Sequence, residues 1–268
     1  MKTSKQFLLG FIIILFFLFS NRNYSQCTNV TEGRNVLINA ASMNAPLSYI
    51  AHIFPKRGKT YSGTAFFIHP QVMLTAGHNV RKRKGFIFTR VKEIDLNIGA
   101  TDCTTQLTKD FVVTKQNDNI ISGNDEKKYT VQDDWGFIIL NNNTANQVVG
   151  GVFAFEVYNP NKDYGIIYKC GYPSENPKCV PRYDQTINYN YDANCNCLRY
   201  DFETEHGDSG APIWYLNNGV PTVIAIHTNG DSKPDKNGKY DCAKGTLITK
   251  EVYQQLQAFC SNKGITIP

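Results

Sequence analysis

The stretch "RYDFETEHGDSGAP", residues 199–212, decides how the rest of the chain is read. Ser209, set between Gly207 and Gly210, suits a sharp turn with an exposed hydroxyl, although Ser-Gly pairs also fill ordinary surface turns. A hydroxyl is a weak nucleophile near neutrality. It needs a base within hydrogen-bond reach, held in turn by an acid that fixes the tautomer. The stretch therefore asks whether such partners exist elsewhere, and what the acidic residues just before Ser209 select.

The histidines are five: His52, His69, His78, His206 and His227. His78 stands out in "VMLTAGHNV", where an apolar strand runs into Ala76 and Gly77 and presents an imidazole beside small residues that leave room for a substrate. The acid should be a semi-buried carboxylate. "VQDDWGFIIL" supplies Asp134 at the start of an apolar strand, while Asp133 reads as the more solvated neighbour. The order His78, Asp134, Ser209 is that of one of the known triad arrangements.

Around these residues, short runs rich in β-branched and aromatic residues recur, among them "LSYIAHIF", "GTAFFIH", "FIFTRV", "WGFIIL", "APIWYL" and "PTVIAIH". Each is bounded by Gly, Pro, Asn or Asp, the pattern of an all-β barrel or sandwich. The polar "NNNTANQVVGG" at 141–151 reads as a joint between two lobes, expected at 46–145 and 146–268. Only "TKEVYQQLQAFC" has helical spacing, with Thr249 as its cap and Val252, Leu256 and Phe259 on one face. At the other end, Lys2 and Lys5 precede an apolar run from Phe7 to Phe19, too short to span a bilayer and laid out as a secretory signal peptide. Residues 1–25 are expected to be removed near Ser25 or Gln26, leaving 26–45 as a lead-in or short propeptide and an extracellular or periplasmic product.

"TAGHNV", "DDWGFI" and "GDSGAP" together resemble the three active-site motifs of the chymotrypsin-like serine peptidases. "APLSYI", "GYP", "YDFETEHGDSGAP", "VIAIHTNG" and the closing helix are similar to the V8-like, or glutamyl endopeptidase, branch. The resemblance implies two chymotrypsin-like six-stranded β-barrels with a C-terminal α-helix. It implies a secreted serine endopeptidase with His78, Asp134 and Ser209 as catalytic residues, and the amides of Gly207 and Ser209 as oxyanion hole. Thr204 and His227 fall where that branch binds a substrate glutamate. Glu203 falls where trypsin-like relatives carry a carboxylate for lysine and arginine. If Glu203 turns outward, cleavage after glutamate is expected; if inward, cleavage after lysine or arginine. A catalytically silent peptide-binding relative and an esterase are the rivals from other classes. By the same resemblance Asp208 either pairs with a freed amino terminus, for instance after a cut at Arg34, or is a solvated turn residue.

The net charge of +5 is modest, and the "RKRK" at 81–84 reads as a solvated loop without a base-stacking pattern, so no nucleic-acid partner is expected. A protein or peptide substrate, a monomer, and no membrane association after signal removal are expected. Eight cysteines in an exported chain read as disulfides, with Cys170 and Cys179 expected to staple a loop. No cofactor or metal is called for: Cys195 and Cys197 lack a paired Cys-x-x-C, and the turn-rich stretch between Asp231 and Asp241 lacks the helices and closing glutamate of a calcium hand.

Overall fold

The computed structural model describes residues 36–37, 45–55, 62–84, 87–91, 93–98, 111–114, 120–123, 130–140, 151–174, 180–230 and 242–267. The expected signal segment, the Arg34 site, most of the interlobe stretch, Cys179 and the 231–241 loop lie outside them.

The first half of the chain supplies β2 (Ile50–Pro55), β3 (Gly63–His69), β4 (Val72–Ala76), β7 (Glu93–Ile98), β8 (Phe111–Thr114), β9 (Ile120–Ser122) and β10 (Trp135–Ile139). These form one curled antiparallel sheet in the order β8-β7-β2-β3-β4-β10-β9, with a separate hairpin of β5 (Arg81–Lys84) and β6 (Ile87–Arg90). The second sheet begins, unexpectedly, in the lead-in with β1 (Val36–Leu37). It continues with β11 (Ala154–Phe155), β12 (Ile167–Gly171), β13 (Arg182–Thr186), β14 (Tyr189–Asp192), β15 (Cys197–Tyr200), β16 (Pro212–Asn217), β17 (Val220–Asn229) and β18 (Ala243–Leu247). Its order is β1-β13-β12-β16-β17-β18-β15-β14, with β11 beside β17. This is the all-β, two-lobed architecture expected, with short flanking strands that bring the sheets to seven and nine strands.

Strand periodicity explains why three cores form. Successive side chains point to opposite faces, so Ala65, Phe67, Met73 and Ile138 fill the interior of the first lobe while Phe66, Leu74 and Phe137 face the other way. In the second lobe Ile213, Tyr215 and Ile224 fill the interior, and Trp214 and Val223 face outward. The outward sets join in a third core with Val252, Leu256 and Phe259 of the terminal helix. With both faces covered, the central strands read as nearly continuous apolar runs rather than alternating ones. The helix, Lys250–Ser261, is capped as expected: the Thr249 side chain accepts from the Val252 amide at 3.3 Å.

Two expectations are corrected. The basic run is strand β5 rather than a loop, and Arg81 is buried because its strand pairs with β6 against the first lobe. Cys170 is a free buried thiol, so it staples nothing: mid-strand in β12, its side chain faces the third core. Cys195 and Cys197 are instead bonded to each other, and Cys242 is also oxidised.

Candidate active site

β4 ends at Ala76 and turns into a single helical turn, α1 (Gly77–Val80), which carries His78. β10 pairs with β4 so that Trp135 lies opposite Ala76, and this register brings Asp134, the residue before Trp135, to α1. The approach is close enough to require glycine at 77, where a Cβ would lie 2.7 Å from the Trp135 carbonyl oxygen. The Asp134 carboxylate then accepts twice from one residue, from the His78 backbone amide at Oδ1 and from His78 Nδ1 at Oδ2, both at 2.7 Å. Asp134 is buried while the His78 side chain is 29 % exposed, so the ring is held from behind and open in front. Asp133 takes no part; it sits in a 3-10 turn, bonded by the Thr130 hydroxyl.

Ser209 comes from the second lobe and is tied to the first. Its carbonyl oxygen accepts from the Thr64 amide at 2.8 Å and from Asn79 Nδ2 at 2.7 Å. The Thr64 hydroxyl donates to the Gly207 carbonyl at 2.8 Å and accepts from the Tyr172 amide at 2.9 Å. Gly207 has φ +99°, where a side chain is strained, and a Cβ there would lie 2.3 Å from the Tyr172 oxygen. Among the described residues no protein acceptor engages the amides of Gly207 or Ser209. Asp208 is not the solvated turn residue of the second alternative: it is buried and ion-paired with Lys169 at 2.7 Å.

His78, Ser209, Thr204, Glu205, His227 and Asn229 line one cleft of about 360 Å³. His227 is 2 % exposed, with Nδ1 2.8 Å from the Tyr200 hydroxyl. Burial, then the charge of Lys169 and the neighbouring His78, hold His227 well below its ordinary pKa, so the ring is neutral near pH 7. Burial likewise keeps the Tyr200 phenol protonated. Glu203 is absent from the cleft wall; its amide donates to Asp184 and its carbonyl accepts from Lys169. Besides Asp134, the wall carries the acidic Glu205, which is ion-paired with Arg182. His206 lines the same cleft, and the two remaining histidines stand apart. His52 is buried between Ser62 and the face of Tyr172, and His69 accepts from the Gln71 amide in its hairpin turn.

Thr64 and Lys169 support the cleft from outside the recognised motifs, while Asn79, Tyr200 and Glu205 lie within them at positions to which the resemblance assigns no role. Of the first two, Lys169 alone leaves a mark, as a lone charge within the apolar run "YGIIYKCGYP".

Among the described residues no group of three or more His, Cys, Asp or Glu side chains is placed to hold a metal ion, and no helix is long and apolar enough to cross a membrane. A curated relative, the "Extracellular metalloprotease" of Bacillus subtilis (strain 168), is 28 % identical over 208 residues, 76 % of this chain and 60 % of its own length. The chain thus spans well under two thirds of that relative. Among solved structures, a Glu endopeptidase in complex with MPD aligns with TM-score 0.65 at 18 % identity, over 85 % of this chain and 97 % of its own. The protease Anisep from Arthrobacter nicotinovorans aligns with TM-score 0.61 at 15 % identity, over 80 % and 96 %. A thermostable serine protease, AL20, from an extremophilic microorganism aligns with TM-score 0.62 at 14 % identity, over 77 % and 94 %. At such identities the likeness speaks for the fold, the chymotrypsin-like double barrel. The sequence profile of the trypsin family matches residues 38–248, nearly the whole of both lobes, and the chain belongs to the trypsin family of serine proteases.

Proposed function

We propose that the chain is an exported serine endopeptidase in which His78, Asp134 and Ser209 act as a unit, and that it prefers to cut after glutamate. The observation that carries the catalytic reading is the pair of hydrogen bonds from His78 to Asp134 in a cleft shared with Ser209. With Nδ1 held by the carboxylate, the ring presents Nε2 to the cleft in the state that can accept a proton. His78 takes the Ser209 proton as Oγ attacks the peptide carbonyl, then returns it to the leaving amine. The unengaged amides of Gly207 and Ser209 supply donors for the oxyanion, and losing one such donor typically costs roughly 3 kcal/mol of barrier. Water repeats the sequence on the acyl-enzyme.

The preference for glutamate rests on His227 and Thr204 in the cleft wall. A protonated Tyr200 hydroxyl donating to Nδ1 leaves the ring proton of neutral His227 on Nε2, as a donor for a substrate carboxylate. The incoming carboxylate would itself raise the histidine's pKa and turn the contact into a charge-assisted one. Trypsin-like selectivity is disfavoured, since Glu203 is not on the wall and Glu205 is already neutralised by Arg182.

The test is labelling with a fluorophosphonate followed by mass-spectrometric mapping of cuts in a mixed peptide library. Ser209 should be the labelled residue, and cuts should cluster after glutamate. His227→Ala should lower kcat/KM for glutamyl substrates by roughly 10- to 100-fold, the worth of a hydrogen bond to a charged group, while sparing substrates with small apolar residues. Cuts clustering after lysine and arginine would overturn the glutamyl assignment.

A further inference from the structure

Lys169 lies mid-strand in β12 with no solvent exposure. Its ammonium donates at 2.7 Å to Asp208 Oδ2 and at 2.7 Å to the Glu203 carbonyl, and the Glu205 amide donates to the same Oδ2 at 3.2 Å. The second oxygen, Oδ1, is buried with no hydrogen-bond partner among the described residues, and Lys169 is the cation paired with this carboxylate. Two charges taken wholly out of water are a poor way to gain stability, because desolvation consumes most of their attraction. They are a good way to impose one conformation.

What the pair constrains is specific. Lys169 grips both ends of the segment from Glu203 to Asp208, which carries Thr204 and Glu205 on the cleft wall and Gly207 in its turn. Asp208 is also the residue immediately before Ser209. Main-chain bonds also hold the turn, from the Asp208 amide to the Glu205 carbonyl at 3.2 Å, from the Ala211 amide to the Asp208 carbonyl at 2.9 Å and from the Ser174 amide to the His206 carbonyl at 2.5 Å, but none of them balances the buried carboxylate. The position of a cation beside Asp208 is therefore filled from within the chain. The lead-in goes elsewhere: Val36 and Leu37 pair with Tyr183 and Arg182 on β13.

We propose that Lys169 is a positioning residue, the internal cation that holds the Gly207–Ser209 turn with both amides facing the cleft, so that the site is assembled in the uncut chain without a freed amino terminus. This rests on the reading of Ser209 as the nucleophile.

The experiment compares the full chain with Lys169→Met, Lys169→Ala and Arg34→Gln by fluorophosphonate labelling and steady-state kinetics. Lys169→Met should lower kcat about a hundredfold, the scale of losing an oxyanion donor, with KM little changed. Added propylammonium should restore part of the kcat of Lys169→Ala, where sodium at equal ionic strength does not. Arg34→Gln, which removes the expected cut, should keep full kcat. If Lys169→Met does not fold, Lys169→Met/Asp208→Leu removes both charges; it should fold and still lose at least about tenfold in kcat, whereas a purely structural pair would allow full recovery. Full kcat in either Lys169→Met variant, or loss of activity in Arg34→Gln, overturns the proposal alone. Failure of Ser209 to label in the parent chain overturns the functional reading and the proposal with it.

Discussion

Asp133 and Asp134 are adjacent carboxylates in opposite circumstances. One is bonded to a threonine hydroxyl at the surface, the other is buried with both oxygens committed to His78. Asp134→Asn should therefore reduce kcat by about 10⁴-fold, because an amide at Oδ2 can present a donor to Nδ1 and favour the wrong tautomer. Asp133→Asn should change kcat by less than about twofold, within the range of surface substitutions. The reverse ranking in steady-state assays would move the acid by one residue. Ser209→Ala should melt like the parent protein, since the backbone atoms of residue 209 make the interlobe bonds, yet retain almost no turnover. Activity retained by that variant would mean that another residue is the nucleophile.

The terminal helix shows what a single element contributes. Its first turn depends on the Thr249 hydroxyl, so Thr249→Ala should cost about 1 kcal/mol, read as a lowered urea midpoint with unchanged slope. The loss should be a matter of stability alone, with kcat intact, since the helix packs on the third core and contributes nothing to the cleft wall. This helix is legible from sequence because a cap and a 3.6-residue apolar period agree, and β10 because Trp135 opens an uninterrupted apolar run. Strand β5 is not legible: its four charges hide the strand, and only pairing with β6 and burial of Arg81 disclose it. The Cys170–Cys179 expectation fails for a related reason. Spacing along the chain says nothing of the side to which a strand residue points, and Cys170 points into a core. At the site, His78, Asp134 and Ser209 stand in recognisable motifs. Thr64, Lys169 and Tyr200 matter through contacts 143, 39 and 27 residues away along the chain, distances over which no local pattern operates.

The two lobes share the site and also an acid sensitivity. His52 in the first and His227 in the second are buried as neutral rings; burial lowers His52 to about 3 and His227 well below 6.5. Unfolding returns both to the ordinary value, so below pH 6.5 the unfolded chain binds protons that the folded one refuses. Stability from this source is complete above pH 6.5 and declines as the pH falls toward the folded-state values, by about 1.4 kcal/mol per unit for each ring. His52 alone should make Ser209→Ala about 2 kcal/mol less stable at pH 5 than at pH 7.5, with His227 adding to the loss in the same direction. Urea midpoints at the two pH values measure it, and identical midpoints would contradict the burial of the rings. The free thiol of Cys170 carries a different consequence. It sits in β12 between β13 and β16, one residue from Lys169, with no exposure and a pKa raised by burial. A water-soluble alkylating reagent can reach it only when those strands part, so under native conditions the rate of its modification is a clock for rare opening events of the second lobe. The same seclusion keeps this particular sulfur away from the Cys195–Cys197 bond for as long as β12 stays zipped.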